Sequence, residues 1–469
     1  MIRMIILSLF FSVTAFGEIY ITVTGANVKR AKLALGELHP LPGVKSRNTA
    51  LEKRVYQQLK DDLDLINLFD PINPKLFTDL DTARNFYTTK YSDWSVLQAS
   101  FLLKLGYRME KNQFVLEALF YDIPGEKKIF GTRYTYPPSQ YARLVHALSE
   151  DILKAVTGEK GLFFSRVVMS CRNLRQRKSP PKEIYVVDPD GRNFTPLTRD
   201  KTLSLSPTWH PNGKQIAYMQ YEFRGRGKNR KKATVLKVHD LRTGKRKVIS
   251  DRPGMNSGAA FSQDGSRLAF TMSFTGRPEI YIVDPNNPSN PEPLSRSIQW
   301  RRLSGSGFHK NNVSTLFDVE PSWSPDGKQV VISSARTGHP MIYIVDLASK
   351  EARQLTFAGT YNSSPSWSPT GDKILFAAQR TDFGNFDIYQ IDADGNNLSR
   401  LTSGTRPGKR RGVNSENPSW APTGRHLAFS SNEGGTYAVY VMSGDGRIKR
   451  QISPKGYECH TPNWSPSER

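Results

Sequence analysis

Few residues in this 469-residue chain stand at spacings that do chemistry. The 8 histidines include no H-x-x-x-H pair, the spacing that puts two imidazoles on one helix face for a metal. His309 and His339 fall in loop-like stretches. The 2 cysteines, Cys171 and Cys459, lie far apart and form no C-x-x-C motif. No serine has glycine at both −2 and +2, so the nucleophile elbow of the α/β-hydrolases is missing. Gly225 and Gly227 sit in RGRGKNRKK, without the strand-to-helix setting that cradles phosphate. That leaves Asp326, in PSWSPDGKQVVISS (321–334). Its counterparts Asn212, Thr370 and Thr423 suit a turn equally well, which argues against an acid–base role. The residues therefore point to no enzyme, metal or cofactor site.

The phrase around Asp326 recurs. Its anchor aromatics are Trp209, Phe261, Trp323, Trp367, Trp420 and Trp464, separated by 52, 62, 44, 53 and 44 residues. A period near 44 with insertions fits four-stranded propeller blades. Each phrase predicts an innermost hairpin, with Asp-Gly or a relative at the positive-φ turn. Two further signals recur in step: EIYIVD-like strands at 183, 235, 279, 341, 387 and 438, and short outer strands at 196, 248, 293, 354, 400 and 451. Six copies of each imply six blades. The first copy, from Phe163, lacks the Trp-Ser-Pro strand, whereas the last, around Trp464, has only that strand. The two halves should pair and close the ring, leaving no open edge. In the same alignment Cys171 falls where Ser334 sits and Cys459 where Asp318 sits. A hairpin turning at Asp326-Gly327 sets Ser334 opposite roughly residue 319, so the cysteines come within about one residue of register. In an oxidising compartment that predicts a disulfide across the closing blade.

The chain opens with MIRMIILSLFFSVTAFG, a basic residue, a short apolar core and a small-x-small end. Residues 1–17 read as a secretory signal, and no later stretch is apolar enough to span a membrane. Residues 18–158 read as an α/β domain and residues 159–469 as an all-β six-bladed propeller closed by the C-terminal strand. In the first domain the patterns predict strands over Ile19–Val23, Ser100–Tyr107 and Gln113–Tyr121, and helices over Ala50–Phe69 and Tyr141–Val156. A hydrophobic content of 37% supports a folded chain, and a net charge of +23 admits an anionic partner. The basic clusters Arg224–Lys232, Arg242–Lys247 and Lys409–Arg411 carry no interleaved aromatics, so nucleic acid is not expected as a partner.

The order of signal, α/β domain, TGEKGLFFSR junction (157–166) and six repeats completed by the last strand resembles the TolB family of the periplasmic Tol-Pal system. The resemblance covers nearly the whole mature chain. It implies a monomeric, non-enzymatic periplasmic adaptor. Such proteins bind the peptidoglycan-associated lipoprotein Pal over the propeller mouth and the inner-membrane protein TolA through their N-terminal segment. They serve outer-membrane integrity and constriction at division. Here the Pal-binding loops correspond to Met255, Asn256, Gly258, Glu320, Tyr361, Asn362, Asn414 and Glu416. Glu320 matches the family position best, while Met255 and Gly258 stand where histidine and alanine are expected. The segment 286–319 lengthens the approach to one blade. The TolA-binding segment corresponds to Glu18, Ile19, Tyr20, Ile21, Thr22 and Val23. Alternative readings are a propeller hydrolase or small-ligand binder, and a secreted propeller that binds anionic envelope polymers.

Overall fold

The computed structural model describes residues 30–467 except 43, 45–46, 78–84, 160, 177–179, 226–230, 299–315, 381–383 and 405–411. The signal segment, Glu18–Val23, most of the Arg224–Lys232 cluster and Lys409–Arg411 lie outside the described residues.

The N-terminal domain is a five-stranded sheet in the order β2-β1-β3-β4-β5. Its strands are β1 (Ala31–Pro40), β2 (Phe69–Pro71), β3 (Phe101–Glu110), β4 (Gln113–Asp122) and β5 (Lys127–Tyr136). Its α-helices are α1 (Thr49–Ile66), α2 (Tyr91–Val96) and α3 (Tyr141–Thr157). Asn48 caps α1 by accepting the Leu51 N–H at 3.1 Å. The helix stops at Asn67, which is left-handed at φ 59°, so the expected run to Phe69 ends early and Phe69 opens β2. Gly158 ends α3 in the same way. Lys111 and Asn112 have φ of 43° and 66° and make a two-residue hairpin turn, which lengthens β3 and β4 beyond the expected strands. Val55 and Leu59 of α1 and Leu148 and Ile152 of α3 are buried in one core with Leu103 and Phe120 of the sheet.

From Val167 the chain forms six four-stranded sheets. Blades 2 to 6 begin with inner strands Ser204–Trp209, Asn256–Phe261, Asp318–Trp323, Tyr361–Trp367 and Ser415–Trp420. Blade 1 takes Tyr457–Trp464 as its inner strand, and Trp464 lies in register with Val167. The ring therefore closes where the repeats predicted. The anchor aromatics are 5–8% exposed, wedged between neighbouring blades. In the segment 286–319, Asn287–Pro293 forms the outer strand of blade 3 and Leu294–Ser297 a helical turn.

Every inner strand carries the same irregularity. The residue three before the anchor is left-handed: Ser206, Gly258, Glu320, Ser364, Asn417 and Thr461, with φ between 48° and 61°. In an antiparallel pair this is a bulge, one extra residue on one strand. It accounts for the one-residue difference in the cysteine register: Asp318 opposes Ser334, and Cys459 opposes Cys171.

The propeller has two faces, a mouth where the inner strands begin and a turn face carrying the Ser-Pro-Asp-Gly turns. The N-terminal domain packs on the turn face beside blades 1 and 6. Arg425 pairs with Glu159 at 2.6 Å, and Asn67 Nδ2 donates to Asp445 at 3.2 Å.

Candidate functional site

The mouth collects the predicted loop residues, but they do not share one task. Met255 is 41% exposed, its N–H held by Ser273 Oγ at 2.7 Å. Tyr361 is 38% exposed and packs edge-on against Phe386. Asn256 and Asn362 are buried at 0% and 1%, which removes them from the set that a partner can touch. Asn256 Nδ2 donates to the Arg252 and Thr234 carbonyls at 2.8 and 3.0 Å. Asn362 Nδ2 donates to Thr356 Oγ1 at 2.9 Å and to the Ala358 carbonyl at 3.1 Å. Asn414 Oδ1 accepts the Phe386 N–H at 2.9 Å. These three amides satisfy loop backbone that would otherwise be buried without partners.

Glu320 and Glu416 remain half-buried at the mouth. The bulge aims Glu320 toward blade 5, where its carboxylate accepts the Ser364 N–H at 2.6 Å and Ser364 Oγ at 3.3 Å. Asn417 Nδ2 donates to Ser364 Oγ at 3.1 Å, so bulge residues of three successive blades are linked. Glu416 accepts from Tyr437 Oη at 2.9 Å. Burial raises both carboxyl pKa values, and the charge of Glu416 raises that of Glu320 further. Neighbouring carboxylates are neutralised: Glu279 by Arg277 and Arg296, Asp318 by Arg336, and Glu458 by Lys182. Among the described residues Glu320 and Glu416 have no such ion pair.

Sequence reasoning missed the apolar collar of this face. Of the eight exposed large hydrophobics on the described propeller, Leu174, Phe223, Met255, Phe274, Phe357 and Tyr361 lie at mouth-side strand ends or loops. Their shared signal is position: each lies in the loop entering an inner strand, at that strand's first residue, or at or just past the mouth end of a hairpin's second strand. Gly258 is left-handed at φ 61°, and a Cβ there would make only ordinary contacts, 3.8 Å from Glu320 Cα and 3.5 Å from Thr271 Oγ1.

Cys171 and Cys459 form a disulfide with Cα atoms 4.2 Å apart. In blades 4 and 6 the equivalent cross-strand pair is hydrogen-bonded: Ser334 to Asp318 at 2.6 Å, and Ser415 to Ser431 at 3.3 Å. Among the described residues no three His, Cys, Asp or Glu side chains gather as metal ligands. None of the described helices is long and apolar enough to cross a membrane.

Comparison with known proteins places this geometry. The family model of the TolB beta propeller domain matches residues 153–468. The Tol-Pal system protein TolB of Alcanivorax borkumensis is 28% identical over 265 residues, 56% of this chain and 57% of that protein. The protein TolB homolog of Chlorobium chlorochromatii is 31% identical over 317 residues, 68% of this chain and 64% of that protein. The chain thus spans little more than half to about two thirds of these curated relatives. The crystal structure of TolB from Acinetobacter baumannii shares the fold, with a TM-score of 0.72 at 24% identity over 94% of this chain and 97% of that one. With the family model matching well over half of its length, this chain belongs to the TolB β-propeller family.

Proposed function

We propose that this protein is a non-enzymatic periplasmic adaptor of the Tol-Pal system. It docks a Pal-like lipoprotein on the propeller mouth and offers Glu18–Val23 to a TolA-like inner-membrane protein, supporting outer-membrane integrity and constriction at division. The apolar collar at the mouth carries this reading. Six large side chains are 37–74% exposed on one face, while the opposite face is partly covered by the protein's own domain. An excess of exposed apolar side chains on one face is the pattern expected of an interaction site. Met255, Gly258, Glu320, Tyr361 and Glu416 form the contact set, and Asn256, Asn362 and Asn414 hold its loops. The N-terminal segment engages its partner by adding a strand to an exposed sheet edge.

Calorimetry of the mature chain against the periplasmic domain of the cognate Pal-like lipoprotein tests this. Micromolar or tighter binding is expected. Glu320→Lys and Tyr361→Asp should each weaken it about tenfold or more, as central interface residues do. Absence of binding heat, or wild-type affinity in both variants, would remove the mouth from the account.

A further inference from the structure

At the turn face lies a cavity of about 1080 Å³. The ends of all six inner strands and the turns that follow line it. Among the described lining residues there is no Asp or Glu, and Lys214 is the one basic residue. The wall repeats a single position, the residue just before each anchor aromatic: Thr208, Ala260, Ser322, Ser366, Ser419 and Asn463. Five of the six carry a polar side chain.

Four of those five already use their oxygen. The Trp367 N–H donates to Ser322 Oγ at 3.1 Å, the Trp420 N–H to Ser366 Oγ at 3.4 Å and the Trp464 N–H to Ser419 Oγ at 3.0 Å. The Trp209 N–H donates to Asn463 Oδ1 at 2.8 Å. Four of the six blades thus cap the next, and what remains of those four side chains at the cavity is three hydroxyl protons and one amide NH₂. None of these protons has an acceptor among the described residues. A hydroxyl that already accepts a backbone N–H is a better donor for it. Thr208, only 8% exposed, makes no side-chain hydrogen bond among the described residues. Trp209 Nε1 is buried without an acceptor as well. Behind the wall, Arg267 lies 4.6 Å from the Trp323 ring centre and Arg166 5.5 Å from that of Trp209. Unspent donors line this cavity, one lysine stands beside them, and no carboxylate stands among the described lining residues.

We infer that the turn-face cavity binds an oxyanion, a carboxylate or phosphate carried on a larger molecule. The donors are Thr208, Ser322, Ser366, Ser419, Asn463 and Lys214. The volume is of the size of small-molecule pockets and far exceeds a bare phosphate, so the remainder of the ligand would lie against the aromatic edges. Ala260 leaves one gap in the donor ring.

The probes are inorganic phosphate and citrate, titrated into the mature chain at low ionic strength. Chloride at matched ionic strength controls for general screening of the +23 charge, and glycerol supplies an uncharged oxygen ligand. Tryptophan fluorescence reads the site directly, because five tryptophans line the cavity. A saturable change with phosphate or citrate, absent with chloride and glycerol, is expected, and the stronger of the two identifies the headgroup. Ser366→Ala with Ser419→Ala should weaken binding about tenfold or more, the worth of at least one lost charge-assisted hydrogen bond. Ala260→Ser should strengthen it, a gain that disturbed folding cannot produce. The inference is overturned if neither anion saturates, or if affinity is the same in the Ser322→Ala, Ser366→Ala, Ser419→Ala triple variant and in Ala260→Ser. Neither result bears on partner binding at the mouth.

Discussion

His426 ties the propeller to the first domain through one proton. It opens the second strand of blade 6, is 2% exposed, and its Nε2 donates to the Leu65 carbonyl in the last turn of α1 at 2.5 Å. Its Nδ1 is buried without a partner. Burial chiefly, with Arg425 adding, holds its pKa down at about 4, against an ordinary 6.5. The neutral ring is what the fold favours, so the stability it contributes is complete above about pH 6.5 and is lost as pH falls toward 4. His146 behaves oppositely. Burial alone would lower its pKa, but Asp190 and Asp62, at 3.3 and 2.8 Å, override this and raise it to about 10. Its contribution is complete below about pH 6.5 and is lost as pH rises toward 10. Thermal denaturation across pH should therefore peak near 6.5. His426→Asn, which keeps a donor for Leu65, should flatten the acid limb by about 2 kcal/mol at pH 5. An acid limb unchanged in that variant would show that other groups set it.

At the scale of elements, one repeated cross-strand position is fastened in different ways. Blades 4 and 6 use a hydrogen bond, whereas blade 1 uses a disulfide between residues 288 apart. The difference follows from connectivity. Elsewhere a short turn joins the two inner strands, but in blade 1 they come from opposite ends of the propeller and only pairing holds them. Chain entropy for so long a loop gives about 5.7 kcal/mol, and measured values usually fall short of it. Replacing both cysteines with serine should thus cost about 3–5 kcal/mol in urea unfolding, against about 1 for Ser415→Ala. Equal costs would mean that the clasp adds nothing special. This pairing was legible in the sequence to within one residue, because six copies of a phrase report on one another. The missing residue was the bulge, which needs a left-handed φ that Ser206, Glu320 or Thr461 does not advertise as glycine would. The first domain offered no copies to compare. β1, β2, β5 and α2 went unread: β1 has a mixed burial pattern that does not alternate, and β5 is a largely exposed edge. The same limit applied at the mouth, where the pattern located the loops but did not distinguish Asn362, buried under its own loop, from Tyr361 beside it.

For the molecule as a whole, the two domains are joined through polar groups with defined directions. The His146 ring bridges Asp62 of α1 and Asp190 of blade 1 and stacks on Phe163 of the junction. Arg192 donates to Gln58 Oε1 at 2.5 Å and lies 5.3 Å from the Tyr141 ring centre. Glu150 accepts the N–H groups of Gly161 and Phe163, pinning the segment between the domains. Apolar interfaces tolerate sliding, whereas buried charges at fixed distances do not, so this junction sets orientation as well as adhesion. Removing one partner of such a buried set leaves the remaining charge desolvated, at about 3–5 kcal/mol. Asp190→Ala should therefore release the N-terminal domain before the propeller melts. Calorimetry should resolve two transitions in place of one, with the upper one near the wild-type midpoint because the disulfide-closed ring is intact. Limited proteolysis should cut first within 157–166, where the pinned segment is freed. A single transition at the wild-type temperature would mean that orientation rests on Arg425, Asn67 and His426 instead. Asp190→Asn separates charge from shape: it keeps an oxygen toward His146 but removes the negative charge, so its midpoint should lie between those of the wild type and the alanine variant, with the gap to the wild type narrowing as pH rises toward 10 and His146 loses its proton.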